Sequence, residues 1–144
     1  MNIHAPIRTW LLDQTDICAL LGDWEGDTAV HTRRPVPAKT GTPFVLIPST
    51  NAAAGSRDGL TSPRPIIIRD LFVYGLLNDD LRNVDKAAEM ISTRLHRNRF
   101  ALTIEGWRVI DIEANRPIPA PSDSDDSVGR LISLRITLQP KPLA

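Results

Sequence analysis

Histidine, cysteine and closely spaced carboxylates carry most catalysis and metal binding in proteins, and this chain has few of them in suitable patterns. The three histidines, His4, His31 and His96, lie far apart, and no pair has the HxxxH or HExxH spacing of a zinc site. The single cysteine, Cys18, excludes an internal disulfide and a cysteine-based metal cluster. Its place in an apolar helical segment predicts a small buried thiol rather than a nucleophile.

Two polar segments have a superficial likeness to ligand-binding loops. The glycines of residues 55–59 (Gly-Ser-Arg-Asp-Gly) lack the GK[ST] ending of a phosphate-binding loop and predict a flexible turn. Asp123, Asp125 and Asp126 lack the glycine and glutamate that a calcium loop requires, and they predict a solvated acidic loop. We therefore expect no catalytic residue, no cofactor and no metal, and no enzymatic activity.

The charge balance points to contacts with other proteins. The 144 residues carry 17 Lys plus Arg against 17 Asp plus Glu, so the basic excess expected of a protein that wraps duplex nucleic acid is absent. Most of the cations are arginines, which favour fixed, charge-matched contacts. The candidate interface residues are Arg33, Arg34, Arg57, Arg108, Arg135, Asp123, Asp125 and Asp126. Beside His31, Arg33 and Arg34 fit either an anion site or a charged edge strand.

The sequence predicts a protein made in the cytoplasm and independent of membranes. No apolar run approaches the roughly 18–20 residues that span a bilayer. The first residues have no basic segment followed by an apolar one, as a secretory signal would. A chain of this length buries about two-thirds of its unfolded surface, which is enough for one domain.

Two segments have helical spacing of apolar residues. Residues 3–21 predict an amphipathic helix, broken near Thr15 and stopped by Gly22. Residues 81–97 predict the most regular helix of the chain, with capping groups supplied by Asn78, Asp79 and Asp80.

The other regular segments read as strands. The predicted strands are 29–32, 44–47, 66–75, 131–139 and a hairpin of 102–104 with 107–112 around Glu105-Gly106. In the last strand, Ile132, Leu134, Ile136 and Leu138 alternate with polar residues, so one face is predicted to be buried. Residues 49–65 and 114–128 are predicted to be long mobile loops. The order of elements predicts a single α+β domain, with a mainly antiparallel sheet of four or five strands and two helices on one face.

With these motifs in this order, the chain resembles the tail-terminator, or tail-completion, proteins of long-tailed phages and phage-like gene transfer particles. The resemblance covers nearly the whole chain, and order and spacing carry it rather than any single motif. The matching segments are 19–22 (Ala-Leu-Leu-Gly), 43–47 (Pro-Phe-Val-Leu-Ile), 72–75 (Phe-Val-Tyr-Gly), the Ala-rich helix 85–95, 106–109 (Gly-Trp-Arg-Val) and the strand 130–138.

The resemblance implies a structural virion protein without enzymatic activity. Such proteins form a ring, usually a hexamer, at the head-proximal end of the tail tube. The ring ends tube polymerisation and joins the tail to the head. The partners implied are further copies of the chain, the major tail tube protein and the head–tail connector or stopper, with DNA passing through the lumen without sequence-specific binding. The implied location is the neck region of the virion tail.

The sequence leaves two alternatives open. A head-closure or stopper protein of the same neck is also a small α/β protein. A nucleic-acid- or nucleotide-binding α+β domain would use Trp107 and Arg108 together with Arg94, Arg97 and Arg99.

Overall fold

A mainly antiparallel sheet with helices on one face forms the centre of the molecule. The computed structural model describes residues 3–34, 36–48, 66–121 and 126–141. In these ranges the elements are α1 (His4–Leu12), α2 (Thr15–Cys18), β1 (Asp23–Trp24), β2 (Asp27–Thr28), β3 (Val30–His31), β4 (Phe44–Leu46), β5 (Ile66–Leu76), α3 (Leu77–Leu95), β6 (Trp107–Ala114), β7 (Ile118–Pro119) and β8 (Ser127–Pro140).

The strand order of the main sheet is β3-β4-β5-β8-β6, and β7 pairs with β8 on the same side as β6. β3 and β4 run parallel, and the other pairs are antiparallel. β1 and β2 form a separate two-stranded hairpin. The predicted α+β class is confirmed, with a sheet of six strands instead of four or five.

The two faces of the sheet differ because its central strands alternate. On β8, the four predicted apolar side chains, Ile132, Leu134, Ile136 and Leu138, are completely buried. They lie in one cluster with the apolar side chains of α1 and α3. On β5, Leu71 faces this core, and its neighbours in the chain face the opposite side. We call that opposite side, which the described helices do not cover, the open face.

The sharp connection between β5 and α3 depends on a glycine. A Cβ atom on Gly75 would lie 2.7 Å from the Cβ of Asp80 and 2.8 Å from a methyl group of Val84. Without that atom, α3 folds back tightly onto the strand that precedes it. The Asp80 carboxylate then accepts a hydrogen bond from the Leu76 N–H at 2.7 Å, so this acid caps the helix from inside its first turn.

This connection corrects the predicted bounds of the second helix. α3 begins at Leu77 rather than at residue 81, because the predicted capping residues lie inside its first turn. It ends at Leu95 rather than at residue 97, where Arg97 adopts a φ of 60°. Leu81, the first residue of the predicted helix, is 38% exposed.

The predicted break in the first helix is confirmed, since α1 ends at Leu12 and α2 begins at Thr15. The Cys18 thiol lies against this break and donates to the Leu11 carbonyl at 3.4 Å. Burial raises the pKa of the thiol. The Cys18 side chain is half-buried, rather than fully buried as its position in the sequence predicts.

One predicted strand and one predicted loop differ from the structure. Residues 102–104 do not form a strand; Ile104 makes a single bridge with Trp107, because β6 takes β8 as its partner. Much of the predicted loop at 114–128 is ordered, since it contains β7 and the start of β8. Asn115 stabilises this segment, because its carbonyl accepts a hydrogen bond from Ser92 of α3 at 2.6 Å. The predicted loop at 49–65 lies outside the described residues.

The end of α3 is tied to the outer edge of β6. The Arg97 N–H donates to the Ile112 carbonyl at 2.7 Å, and the Ala114 N–H donates to Nδ1 of His96 at 3.1 Å. The Arg97 side chain forms ion pairs with Asp111 and Glu113 on the same strand. Backbone and side-chain contacts therefore join the helix to the sheet edge.

Neighbouring positions of β8 allow a direct test of the faces. Ile136→Ala removes fully buried apolar volume, and we expect it to lower the free energy of unfolding by about 2–5 kcal/mol. Arg135→Glu changes an exposed side chain on the open face and should alter it by no more than about 0.5 kcal/mol. Urea denaturation of both variants measures the difference. The reverse order of effects would mean that the two faces are exchanged.

Candidate functional site

The open face has an aromatic band at one side and charged side chains at the other. The rings of Trp24 and His31 lie 5.4 Å apart, those of His31 and Phe44 6.1 Å, and those of Phe44 and Tyr74 5.7 Å. Phe72 stacks on Tyr74 at 5.7 Å with nearly parallel planes. The band thus crosses from the β1–β2 hairpin to the centre of the sheet, and aromatic pairs of this kind stabilise it beyond simple burial.

The predicted candidates His31, Arg33 and Arg34 lie beside this band. His31 is buried, and its ring nitrogen lies 3.2 Å from the Thr40 hydroxyl. Burial, with a smaller contribution from Arg8, lowers the pKa of His31 and favours its neutral form. Arg34 lies over the Phe72 ring at 5.2 Å, and Arg33 is exposed. His31 thus packs among aromatic rings on β3, and the two arginines follow shortly after this edge strand.

Arg135 lies on the charged side of the open face. Its cross-strand partners are Ile68 on β5 and Glu113 on β6. It is exposed, and in the described part of the chain it forms no ion pair, because Glu113 binds Arg97 instead. Arg135 is therefore a charge presented to the solvent in the middle of the sheet.

The three arginines of the nucleic-acid alternative do not form a joint basic patch. Arg94 forms an ion pair with Asp16 and also donates to the side chain of Gln14. Arg97 is paired with Asp111 and Glu113 as described above. Two of the three cations are therefore neutralised by internal partners.

The third arginine belongs to an open cleft at one end of the subunit. This cleft has a volume of about 440 Å³. Its lining includes Arg99, Phe100, Trp107, Arg108 and Lys141, and no carboxylate. Arg99 lies over the Phe100 ring at 4.8 Å, and Phe100 is 81% exposed. We call this feature the arginine cleft.

The opposite end of the subunit carries exposed leucines beside acids. Leu76, Leu77 and Leu81 are 44%, 41% and 38% exposed. Asp79 and Asp126 are exposed, and the Asp126 carbonyl accepts a hydrogen bond from the Leu77 N–H at 2.7 Å. We call this group the leucine end.

The structure thus distributes the predicted interface residues and does not bring them to one place. Arg108 lies in the arginine cleft, Asp126 at the leucine end, Arg135 at the centre of the open face and Arg34 at its aromatic side. Arg57, Asp123 and Asp125 lie outside the described residues. In the part of the chain that the structure describes, no group of acidic, histidine or cysteine side chains could hold a metal ion. No helix there is long and apolar enough to cross a membrane.

Sequence reasoning missed the apolar parts of both ends. In the sequence, Leu76 and Leu77 lie between a predicted strand and a predicted helix, so their apolar character indicated packing. Phe100 lies in a polar segment directly after a helix. A large aromatic residue among charged ones was the available signal for an exposed contact residue.

Comparison with solved structures links this fold to an assembled particle. The chain superposes on a chain of the virion of a native gene transfer agent (GTA) particle with a TM-score of 0.71, at 16% identity, covering 96% of this chain and 95% of the other. The chain shares its fold with a virion protein. A second solved structure matches with a TM-score of 0.54 at 15% identity, covering 96% and 94% of the two chains.

At these identities the likeness concerns the fold alone. No protein-family model matches the sequence. No curated protein matches it either.

The ion pair between α2 and α3 gives a prediction about pH. Hydrogen bonding from Arg94 holds the pKa of Asp16 at about 2, below its ordinary value of 3.8. Because the folded-state pKa is the lower one, the pair stabilises the fold above about pH 4, and this stabilisation is lost as the pH falls through about 2.

We expect Arg94→Met to raise the pKa of Asp16 towards 3.8. Lys86→Met, at an exposed position of the same helix, should leave that pKa unchanged. NMR titration of the Asp16 carboxyl carbon measures both. A pKa near 3.8 in the unmodified protein would show that the pair does not form in solution.

Proposed function

We propose that this chain is a structural virion protein that forms a ring at the head-proximal end of a phage-like tail tube. The ring ends tube polymerisation and joins the tail to the head connector. The observation that carries this proposal is the shared fold with a chain of the gene transfer agent virion, which extends over nearly the full length of both chains. The order of sequence motifs that resembles tail terminators supports the same role.

The surface chemistry supports assembly rather than catalysis. The arginine cleft is open, and its cations have no carboxylate beside them among the lining residues. The leucine end exposes three large apolar side chains. Surfaces of this kind suit contacts with other proteins. The proposed partners are further copies of the chain, the major tail tube protein and the head–tail connector or stopper.

Closure of such a ring needs a contact between two different surfaces of the subunit. A head-to-tail interface whose rotation closes gives a ring, whereas one that does not close gives a filament. DNA passes through the lumen of the proposed ring without sequence-specific binding. The neutral net charge and the internal pairing of Arg94 and Arg97 are consistent with a protein that does not bind nucleic acid tightly.

This proposal predicts a discrete closed oligomer. Native mass measurement at tens of micromolar, with and without tail tubes of the same particle, should show a ring mass in at least one condition. Added to polymerising tube protein, the chain should shorten the tubes seen by negative-stain microscopy. A strict monomer in both conditions, with unchanged tubes, would contradict the proposal.

A further inference from the structure

The leucine end and the arginine cleft lie at opposite ends of the same strand. Asp126 directly precedes β8, and Lys141 directly follows it. A strand of 14 residues spans about 45 Å. β5 and α3 run between the same two ends. β5 finishes at Leu76 beside the start of β8, and α3 then runs back along the core. The subunit therefore has two distant ends with different chemistry.

The charges of the two ends are opposite. In the arginine cleft, Arg99, Arg108 and Lys141 form no ion pair with any carboxylate of the described residues. At the leucine end, Asp79 and Asp126 are exposed, and one cation, Arg82, follows Asp79 by three residues on α3. The leucine end thus has two exposed acids against one base, and the cleft has three cations against one neighbouring exposed acid, Glu105.

The apolar side chains of the two ends are complementary as well. The leucine end projects three partly exposed aliphatic side chains, and the cleft offers an exposed ring at Phe100 and a half-buried one at Trp107. Aliphatic groups against aromatic rings, surrounded by opposite charges, form an interface with an apolar centre and a polar rim.

We propose that the leucine end of one copy docks into the arginine cleft of the next, so that the ring is built head to tail. The inference rests on the proposed function, because it names the contact that would close the ring. The occupant of the cleft is a second copy of this chain, chosen for the charge complementarity and for the matching apolar groups. A single subunit cannot make this contact itself, because its two ends are separated by the length of β8.

Reciprocal charge reversal tests this contact without depending on the stability of one variant. The cleft variant is Arg99→Glu with Arg108→Glu, and the end variant is Asp79→Lys with Asp126→Lys. Each variant alone places like charges against each other, and the concentration needed for assembly should rise roughly tenfold or more. An equimolar mixture pairs opposite charges at every contact of an alternating ring, and it should assemble like the unmodified protein.

Two single substitutions complete the design. Phe100→Ser alters a largely exposed ring, so it should weaken assembly while the melting temperature stays the same. Lys86→Glu, at an exposed position in the middle of α3, serves as the matched control. It should change neither the assembly nor the melting temperature. Sedimentation velocity, with and without tail tubes, measures assembly for all of them.

The outcomes distinguish a failure of the head-to-tail contact from a failure of the ring proposal. If the unmodified protein forms a ring and both charge variants form it equally well, the head-to-tail contact is wrong and the ring proposal stands. If each variant fails and the mixture also fails, the two ends do not meet. If nothing assembles in any condition, both proposals are overturned. A labelled single-stranded oligonucleotide that binds the unmodified protein but not the cleft variant, while assembly is unchanged, would assign the cleft to nucleic acid instead.

Discussion

The antiparallel pairing of β5 with β8 determines the rest of the structure. It joins eleven residue pairs, from Ile66 with Thr137 to Leu76 with Ser127. Because side chains alternate along paired strands, this register sends one apolar set under the helices and another set to the open face. A shift of one residue would exchange the two faces and expose the four buried residues of β8. The same pairing sets the length of the subunit and thereby separates the leucine end from the arginine cleft.

The chain reverses direction at the end of this pairing. Gly75 provides room for α3 to return over β5, and Asp80 supplies the hydrogen bond that the Leu76 N–H would otherwise lack. Asp80 and Val84 of α3 therefore pack directly on this end of β5. Leu76, Leu77 and Leu81 lie around the same reversal and are exposed, so the connection between β5 and α3 forms the leucine end.

Much of this architecture follows from the sequence, because alternation and helical spacing are local patterns. The buried face of β8, the break near Thr15 and the α+β class could all be predicted in this way. The pairing partner of β6 could not, since a plausible turn at Glu105-Gly106 predicted a local hairpin and the long-range contact with β8 prevailed. The interface residues were inferred from residue type alone, and the cleft depends on a juxtaposition of three chain segments that no local pattern encodes.

The attachment of α3 to β6 has a consequence for how copies of this protein can meet. An unpaired strand edge is a template on which another chain can add a strand, and repeated addition leads to fibrils. Along residues 112–114, the outer edge of β6 is already bonded to Arg97 and His96. Asp111 and Glu113 hold the Arg97 guanidinium against that same edge. Strand addition is therefore blocked over this stretch, and another chain could contact this part of the edge only through side chains.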